Sequence, residues 1–493
     1  MKALVMGGGM AGLVAAVNLL DLGLEVELVE ADGSCGGRAG SWVDEDGDSI
    51  DNGLHLFFPC YANLLNFLTK LGVESNIIWK RPEFRFLQEG GREAMLGFAD
   101  LPAPLHAVAA MLGLLRTYTG APRWKLACAM AALGGASLYS DRRLDRLDGM
   151  TFGQWAARRA PADAFVFLEP AINGLTFTPS WMVSARVSLA WVRRLGADGE
   201  SARVGFASGA LDDVWVKACL DHIRAGGGRV ETGQEVTSIN LKGSRVGSVN
   251  VNGSEERKAD VYVSSLPPFS LRSVLPAEAF RHPYFRDLLH FHYAPSLSLR
   301  VWFDRKLTGV DVAFFSHHCV FSACADLSNV MPHIFSGGSV FEMLLSPADH
   351  IEGLSDETIL ELATSQMRAL FPAAREAEVR GSKVVRERQG TYRAWPGMES
   401  RRPYQRSPLD NLYLCGDYTR APGSPGGMEA AVWTANHCAE LIALDKLGKT
   451  APLNVEWKPR KGFLPLVKAA VRAGTALGGT ALAGRAWKSL KGR

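Results

Sequence analysis

Three stretches carry residue types and spacings suited to chemistry. In KALVMGGGMAG, Gly7, Gly9 and Gly12 stand in the spacing GxGxxG between an apolar run and an Ala/Leu-rich segment. In GSCGGRAG, Gly36 and Gly37 precede Arg38. In NLYLCGDYTRAPGSPGGMEAAV, residues 411–432, an apolar run stops at Gly416-Asp417 and an Ala-rich segment resumes near Met428. Glycine turns let backbone N–H groups approach a phosphate, and a helix that begins there presents the positive end of its dipole. A guanidinium adds a charged fork for the same anion. This is the chemistry of holding a dinucleotide. A nucleophile elbow, a metal cluster and a paired-carboxylate site are all absent from the sequence. His290 and His292, like His317 and His318, have no acidic or Cys companions at ligand spacing, so no metal is expected.

The elements that must position the first turn can be read around it. Residues 3–6 read as a strand, residues 11–22 as a helix, and residues 25–29 as a second strand ending in Glu30, eighteen residues after Gly12. The three glycines serve three different needs, namely a tight turn, close approach to pyrophosphate, and close packing of helix on strand. Glu30 is placed to accept from a ribose hydroxyl, and its charge would repel the extra phosphate of NADP. GxGxxG alone does not separate FAD from NAD. Gly37 and Arg38, just beyond the second strand, are placed to hold the pyrophosphate a second time, which favours FAD.

Composition bounds the rest. With 493 residues, 47% apolar and 21% charged, the chain should be globular with two to four domains. A net charge of +3 is too small to argue for nucleic acid as a partner. From residue 452 to the end, nine Lys/Arg face one acid, Glu456, so this tail carries +8 and the remainder about −5. The eight cysteines are scattered without a CxxC pair, which suits a reducing cytoplasm. The first twenty residues imitate a signal peptide, but a centre of GGGMAG is a poor apolar core for one.

Together with DSIDNGLHLFFPCYANLLNFLTKLG (48–72), GFASGALDDVWVKACLDHIRAGGGRVETGQEVTSI (205–239), ADVYVSSLPP (259–268), SLRVWFDRKLTG (298–309) and RPYQRSPLDNLYLCGDYT (402–419), these motifs make the chain resemble the FAD-dependent carotenoid desaturases. The likeness is to the plant and cyanobacterial phytoene and ζ-carotene desaturases, within the flavin amine oxidase superfamily, with hydroxysqualene dehydroxylase as a related type. It covers residues 1–445. The resemblance implies an α/β fold: a Rossmann-type FAD-binding domain, discontinuous over 1–75, 200–268 and 385–445, with an α+β substrate domain from 76–199 and 269–384. It implies FAD contacts from Gly7, Gly9, Met10, Ala11, Gly12, Glu30, Gly37, Arg38, Gly53, Leu54, Gly416, Asp417 and Met428. Asp417 would bond the ribityl or pyrophosphate region, and the helix from Met428 would point its N-terminus at the isoalloxazine. Val236 would meet the adenine, although a plain sheet valine suits that position equally. Family members usually have Glu-Gly-Ala after the Met; Ala430 here departs from that and puts the helix-to-ring distance in doubt. Arg194 matches an arginine near the flavin implicated in holding a quinone, with a surface arginine as the alternative. His55 and Tyr61 lie in a segment that reaches the flavin, in structural or catalytic roles.

The expected reaction follows from the resemblance: removal of hydrogen from a long polyisoprenoid such as phytoene or ζ-carotene by hydride transfer to flavin, with electrons passed to a quinone. Reductive dehydroxylation of a squalene precursor, an amine or porphyrinogen oxidase, and a silent polyene carrier remain as alternatives. Oligomeric state is left open. Residues 101–140 contain only three charges, Arg116, Arg123 and Lys125, and neither apolar run reaches the ~20 residues of a spanning helix. Two short apolar helices with basic flanks fit a membrane-facing insert, or two core helices. In the 446–493 tail, Phe463, Leu466, Val467, Ala470 and Val471 follow helical spacing, which predicts a basic amphipathic attachment to anionic lipid, or a disordered tail. A cytoplasmic protein peripherally attached to membrane is expected.

Overall fold

The computed structural model describes residues 1–460 apart from positions 46, 162, 318, 336 and 423–425, together with 462 and 463. Strands Lys2–Met6, Glu25–Val29, Arg229–Glu231, Val261–Ser264 and Leu412–Leu414 form one sheet in which every pairing is parallel. Its order is Arg229–Glu231, Glu25–Val29, Lys2–Met6, Val261–Ser264, Leu412–Leu414. Strands covered on both faces need near-continuous apolar runs, and ALVM and LYL supply them: residues 3–6, Leu412 and Leu414 are fully buried.

The helices used below are α1 (Met10–Asp21), α2 (Ala62–Lys70), α3 (Leu105–Thr117), α4 (Arg123–Ser137), α5 (Asp141–Asp145), α6 (Phe152–Ala157), α7 (Glu169–Thr176), α8 (Ala185–Leu195) and α9 (Gly427–Leu447). Helix α1 follows the first strand, α9 follows the last, and the two pack together; Asn18 donates to Asn436 across their buried interface at 2.8 Å. Chain start and chain end thus meet on one sheet.

The segment that carries Val236 divides between two sheets. Arg229–Glu231 joins the parallel sheet, whereas Val236–Lys242 opens a separate three-stranded antiparallel sheet. Between them Gly233 takes φ +67°, a left-handed value that reverses the direction without strain.

A seven-stranded sheet draws on both inserted regions. Its order is Val379–Tyr392, Tyr293–Phe303, Val340–Leu345, Ala323–Asp326, Phe314–Phe315, Glu83–Gln88, Arg92–Gly97. The first insert contributes Glu83–Gln88 and Arg92–Gly97 to it, and Glu83–Gln88 pairs parallel with Phe314–Phe315. Helix Asp356–Leu370 covers one face over Leu299, Val301, Phe341 and Met343.

The body extends beyond the expected boundary at residue 446. Helix α9 runs to Leu447, and the chain then lies extended along the surface. Val455 N donates to Asn63 Oδ1 (2.9 Å), and Asn63 Nδ2 donates back to the Val455 carbonyl (3.2 Å). Leu453 and Asn454 donate to Glu440, and Arg460 N to Asp198. The expected amphipathic stretch lies outside the described residues except for Phe463, half exposed, whose N–H donates to the Ala103 carbonyl at 2.7 Å.

Candidate active site

One cavity of about 940 Å³ runs from the glycine turns of the parallel sheet to the seven-stranded sheet. Gly7, Gly9, Met10, Ala11, Glu30, Gly37, Arg38, Gly53, Leu54, His55, Val236, Gly416, Asp417 and Met428 all line it. Segments 400 residues apart converge because the first and last strands of the sheet end on the same side, leaving both following helices to begin there.

The turn is built as the glycine spacing predicts, with a division of labour. Gly7 has φ +102°, and a side chain there would press on Ser265. A Cβ on Gly12 would stand 1.9 Å from the Gly7 carbonyl oxygen, so this glycine packs helix on turn and does not reach the cavity. A Cβ on Gly9 would meet nothing within 4 Å: it would point into the open space that a ligand requires. Helix α1 has Gly9 and α9 has Gly426 at its N-cap, neither with a side-chain cap. Two sets of unsatisfied helix-start N–H groups therefore open on one cavity, an arrangement that fits the phosphates and the polar ring edge of FAD.

Glu30 does more than offer a ribose contact. Its Oε2 accepts from Gly8 N at 2.5 Å and Oε1 from Asp32 N at 2.9 Å, which braces the turn and leaves further lone pairs free. Arg38 donates to Asp417 Oδ1 (2.9 Å) and to the Gly390 carbonyl (2.8 Å). Burial by itself would lower its pKa, but the Asp417 carboxylate outweighs it and the guanidinium is held above its ordinary value. The pair fastens the second glycine turn to the third. His55 Nδ1 donates to the Gly53 carbonyl (2.9 Å), and burial pushes its pKa down, so the ring is neutral at ordinary pH.

Away from these groups the cavity has an apolar stretch. Phe84, Phe86, Leu96 and Phe98 of the second sheet, Met111 of α3, Met130 and Leu133 of α4, and Ile172 and Leu175 of α7 give this part of the cavity, its chamber, apolar walls; the ionisable residues that line the cavity besides those above are Asp32, Cys35, Tyr61, Glu235, Glu387 and Tyr418. Phe58, Tyr61 and Trp191, with ring centroids 5.4–6.1 Å apart, stand between the halves.

Arg194 lies beside the cavity without lining it. Helix α8 turns Trp191, Val192 and Leu195 to the cavity, which puts Arg194 on another face; there it donates to the Cys60 carbonyl (3.2 Å) and stacks on Trp457. Arg194 therefore does not itself line the cavity, but it stays close to the start of α9, where its charge acts on Glu429. Ala430 is fully buried and does not line the cavity, whereas Ala431 does.

Two residues that sequence reasoning passed over shape the site. Glu429, 3% exposed, accepts from Asn63 N and Nδ2 and from Leu64 N, capping α2 from the start of α9; burial raises its pKa. Arg402, 2% exposed, donates to the carbonyls of Asp417 and Thr419 at 2.8 and 2.5 Å and pairs with Glu399, which fixes the loop that presents Asp417. Both lie inside or beside the stretches that carry the resemblance, yet no local signal marks a glutamate as a remote cap or an arginine as a buried clamp.

A family description, flavin-containing amine oxidoreductase, matches residues 10–443. The chain belongs to that family. It is an FAD-dependent oxidoreductase, and its relatives narrow the field. A 15-cis-phytoene desaturase of Synechococcus elongatus is 31% identical over 462 residues, covering 90% of this chain and 96% of the relative. A ζ-carotene desaturase of Solanum lycopersicum is 28% identical, covering 92% and 84%. Among solved structures, an oxidoreductase from Methanosarcina mazei superposes with a TM-score of 0.69 at 18% identity, covering 88% of this chain and 99% of that one, which shows the fold.

Proposed function

We propose that this flavoprotein desaturates a long membrane-derived polyisoprenoid of the carotenoid-precursor type, phytoene or ζ-carotene. The observation that carries the reading is a stretch of apolar wall, the chamber, in the same cavity as the two helix starts. The second sheet and helices α3, α4 and α7 give that chamber aliphatic and aromatic walls, which suit a hydrocarbon chain. A hydrocarbon gains roughly 25 cal/mol per Å² on burial there, so shape and length, not polar contacts, select it.

FAD, when bound, supplies a two-electron acceptor for hydride from an allylic carbon. The protein's own residues do the rest. Gly7 and Gly9, with Arg38 and the start of α1, hold the pyrophosphate. Asp417 would hold the ribityl or pyrophosphate region and the start of α9 would face the ring, where helix N–H groups favour negative charge. The aromatic ring cluster and the apolar walls exclude water and align the chain. A quinone as final acceptor belongs to the same proposal.

Helix α3 supports access from a membrane. Its inner face, Ala107 and Met111, lines the chamber, while Leu105, Val108 and Leu112 on the outer face are about half exposed, as is Trp124 at the start of α4. Among the described residues no helix is long and apolar enough to cross a membrane, so contact would be with one leaflet.

The test is an anaerobic assay of FAD-loaded protein in liposomes carrying phytoene, ζ-carotene or hydroxysqualene separately, following oxidised-flavin absorbance and chromatographed products. Bleaching with a product of longer conjugation is expected for a carotenoid precursor. Full FAD occupancy without bleaching by either would overturn the reading.

A further inference from the structure

A second concavity lies outside the flavin cavity, and its walls are arginines. Ser140, Arg142, Arg143 and Arg146 from the start and end of α5, with Arg159 just beyond α6, surround it. Five arginines fall in the eighteen residues 142–159, with two acids between them, Asp145 and Asp148. The acids near the cluster are already engaged: Asp141 pairs with Arg193, Asp145 with Arg186, and Asp148 accepts from Ser184. Among the described residues, Arg142, Arg143, Arg146 and Arg159 therefore have no carboxylate within ion-pair distance. Two of the guanidiniums are held in place. Arg143 lies 4.0 Å from the Tyr139 ring centroid, and Arg159 lies 4.7 Å from that of Trp155 while donating to its carbonyl. Aromatic stacking fixes the planar fork and leaves its outward N–H groups for an anion.

The surroundings indicate where that anion would come from. Ser140, on the arginine concavity, is three residues from Ser137, which lines the apolar chamber at the end of α4. The start of α6 is bonded to the loop before α8 through Phe152 N to the Val183 carbonyl and Gly153 N to the Ser180 carbonyl, and Trp181 in that loop is 65% exposed. Arginine forks on the same group of helices as an exposed tryptophan suit a membrane interface, where phosphates lie above the indole level.

We infer that this arginine concavity is a phosphate-binding site that docks the head group of an anionic phospholipid and so seats the chamber wall against the bilayer. The inference rests on the membrane-access reading above and adds a ligand chemistry to it.

The test uses the full-length FAD-loaded protein and vesicles of phosphatidylcholine alone or mixed with phosphatidylglycerol. Wild type should partition preferentially to the mixed vesicles. Replacing Arg142, Arg143 and Arg146 together by Gln should weaken that partition roughly fivefold per arginine, on the order of 100-fold in all, with flavin absorbance unchanged. The matching Lys triple should recover most of it. A control triple at exposed arginines of the nucleotide and helical regions, Arg224, Arg281 and Arg368→Gln, removes the same net charge and should cost far less. Equal loss in the two Gln triples, a Lys triple as weak as the Gln triple, or equal wild-type binding to both vesicle types would each overturn the assignment. Inorganic phosphate bound calorimetrically at the site, with vesicle partition unmoved by the Gln triple, would overturn the lipid source and leave a free-phosphate site. Desaturation assayed in detergent-dispersed substrate is a separate readout: its absence would count against the proposed reaction and not against the lipid site.

Discussion

At the residue scale the glycines make opposite predictions from one motif. Gly12→Ala places a methyl 1.9 Å from a backbone oxygen that cannot retreat, so the variant should fail to fold or lose several kcal/mol of stability. Gly9→Ala meets no protein atom; it should fold with a wild-type denaturation midpoint and lose FAD affinity, about 100-fold or more for a methyl pushed into the pyrophosphate position. Wild-type FAD affinity in Gly9→Ala would displace the phosphates from that turn. Asp51 gives a pH signature. Burial raises its carboxyl from the usual 3.8 to about 6, although Leu211 N–H donates to it. Between those values the unfolded chain releases the proton and the folded chain keeps it, so this group's contribution to stability falls as pH rises from about 4 to 6. Asp51→Asn should remove that fall: its stability relative to wild type should rise by on the order of 1–3 kcal/mol across the window, measured by urea unfolding.

At the element scale, α3 is a wall with two apolar faces, and each can be tested alone. Ala107→Trp fills the chamber from the inner face; FAD binding should persist, while polyene turnover drops on the order of 100-fold. Val108→Asp on the half-exposed outer face should keep FAD and turnover of detergent-dispersed substrate, but reduce partition to vesicles roughly tenfold. If the two substitutions behaved alike, α3 would not separate chamber from membrane. Helix α9 similarly serves two partners from its first turn: Gly427 and Met428 face the cavity, and Glu429 caps α2.

At the scale of the whole molecule, the chain closes on itself. The stretch 450–460 bonds to Asn63 of α2, Glu440 of α9 and Asp198 beyond α8, contacts worth roughly 0.5–1.5 kcal/mol each. A chain ending at residue 447 should unfold at markedly lower urea than one ending at 463, whereas the latter should match the full chain. Equal midpoints for all three would make the strap ornamental. A truncation intended to probe the basic tail alone must therefore begin after Phe463.

The parallel sheet, the three glycine turns and the expected site residues that line the cavity were legible in the sequence, because their determinants are local: apolar runs of strand length, glycines where φ or close approach demands them, an acid at a strand end. Arg38 and Asp417 were each legible, but not their mutual ion pair. What lay beyond the sequence depends on contacts between remote segments. Arg194 sits in a helix whose rotation is set by packing α8 on its neighbours, not by its own residues. Glu429 caps a helix more than 350 residues away in the chain, and Arg402 clamps a loop by its carbonyls. Sequence periodicity decided that α3 and α4 exist and are apolar; only the tertiary fold decided that one face of α3 walls the chamber while the other is open. The sequence by itself determined the dinucleotide cradle, since backbone geometry needs glycine wherever a phosphate must come close. The chamber's apolar walls were decided by the tertiary structure, which gathers side chains from two inserts into one cavity.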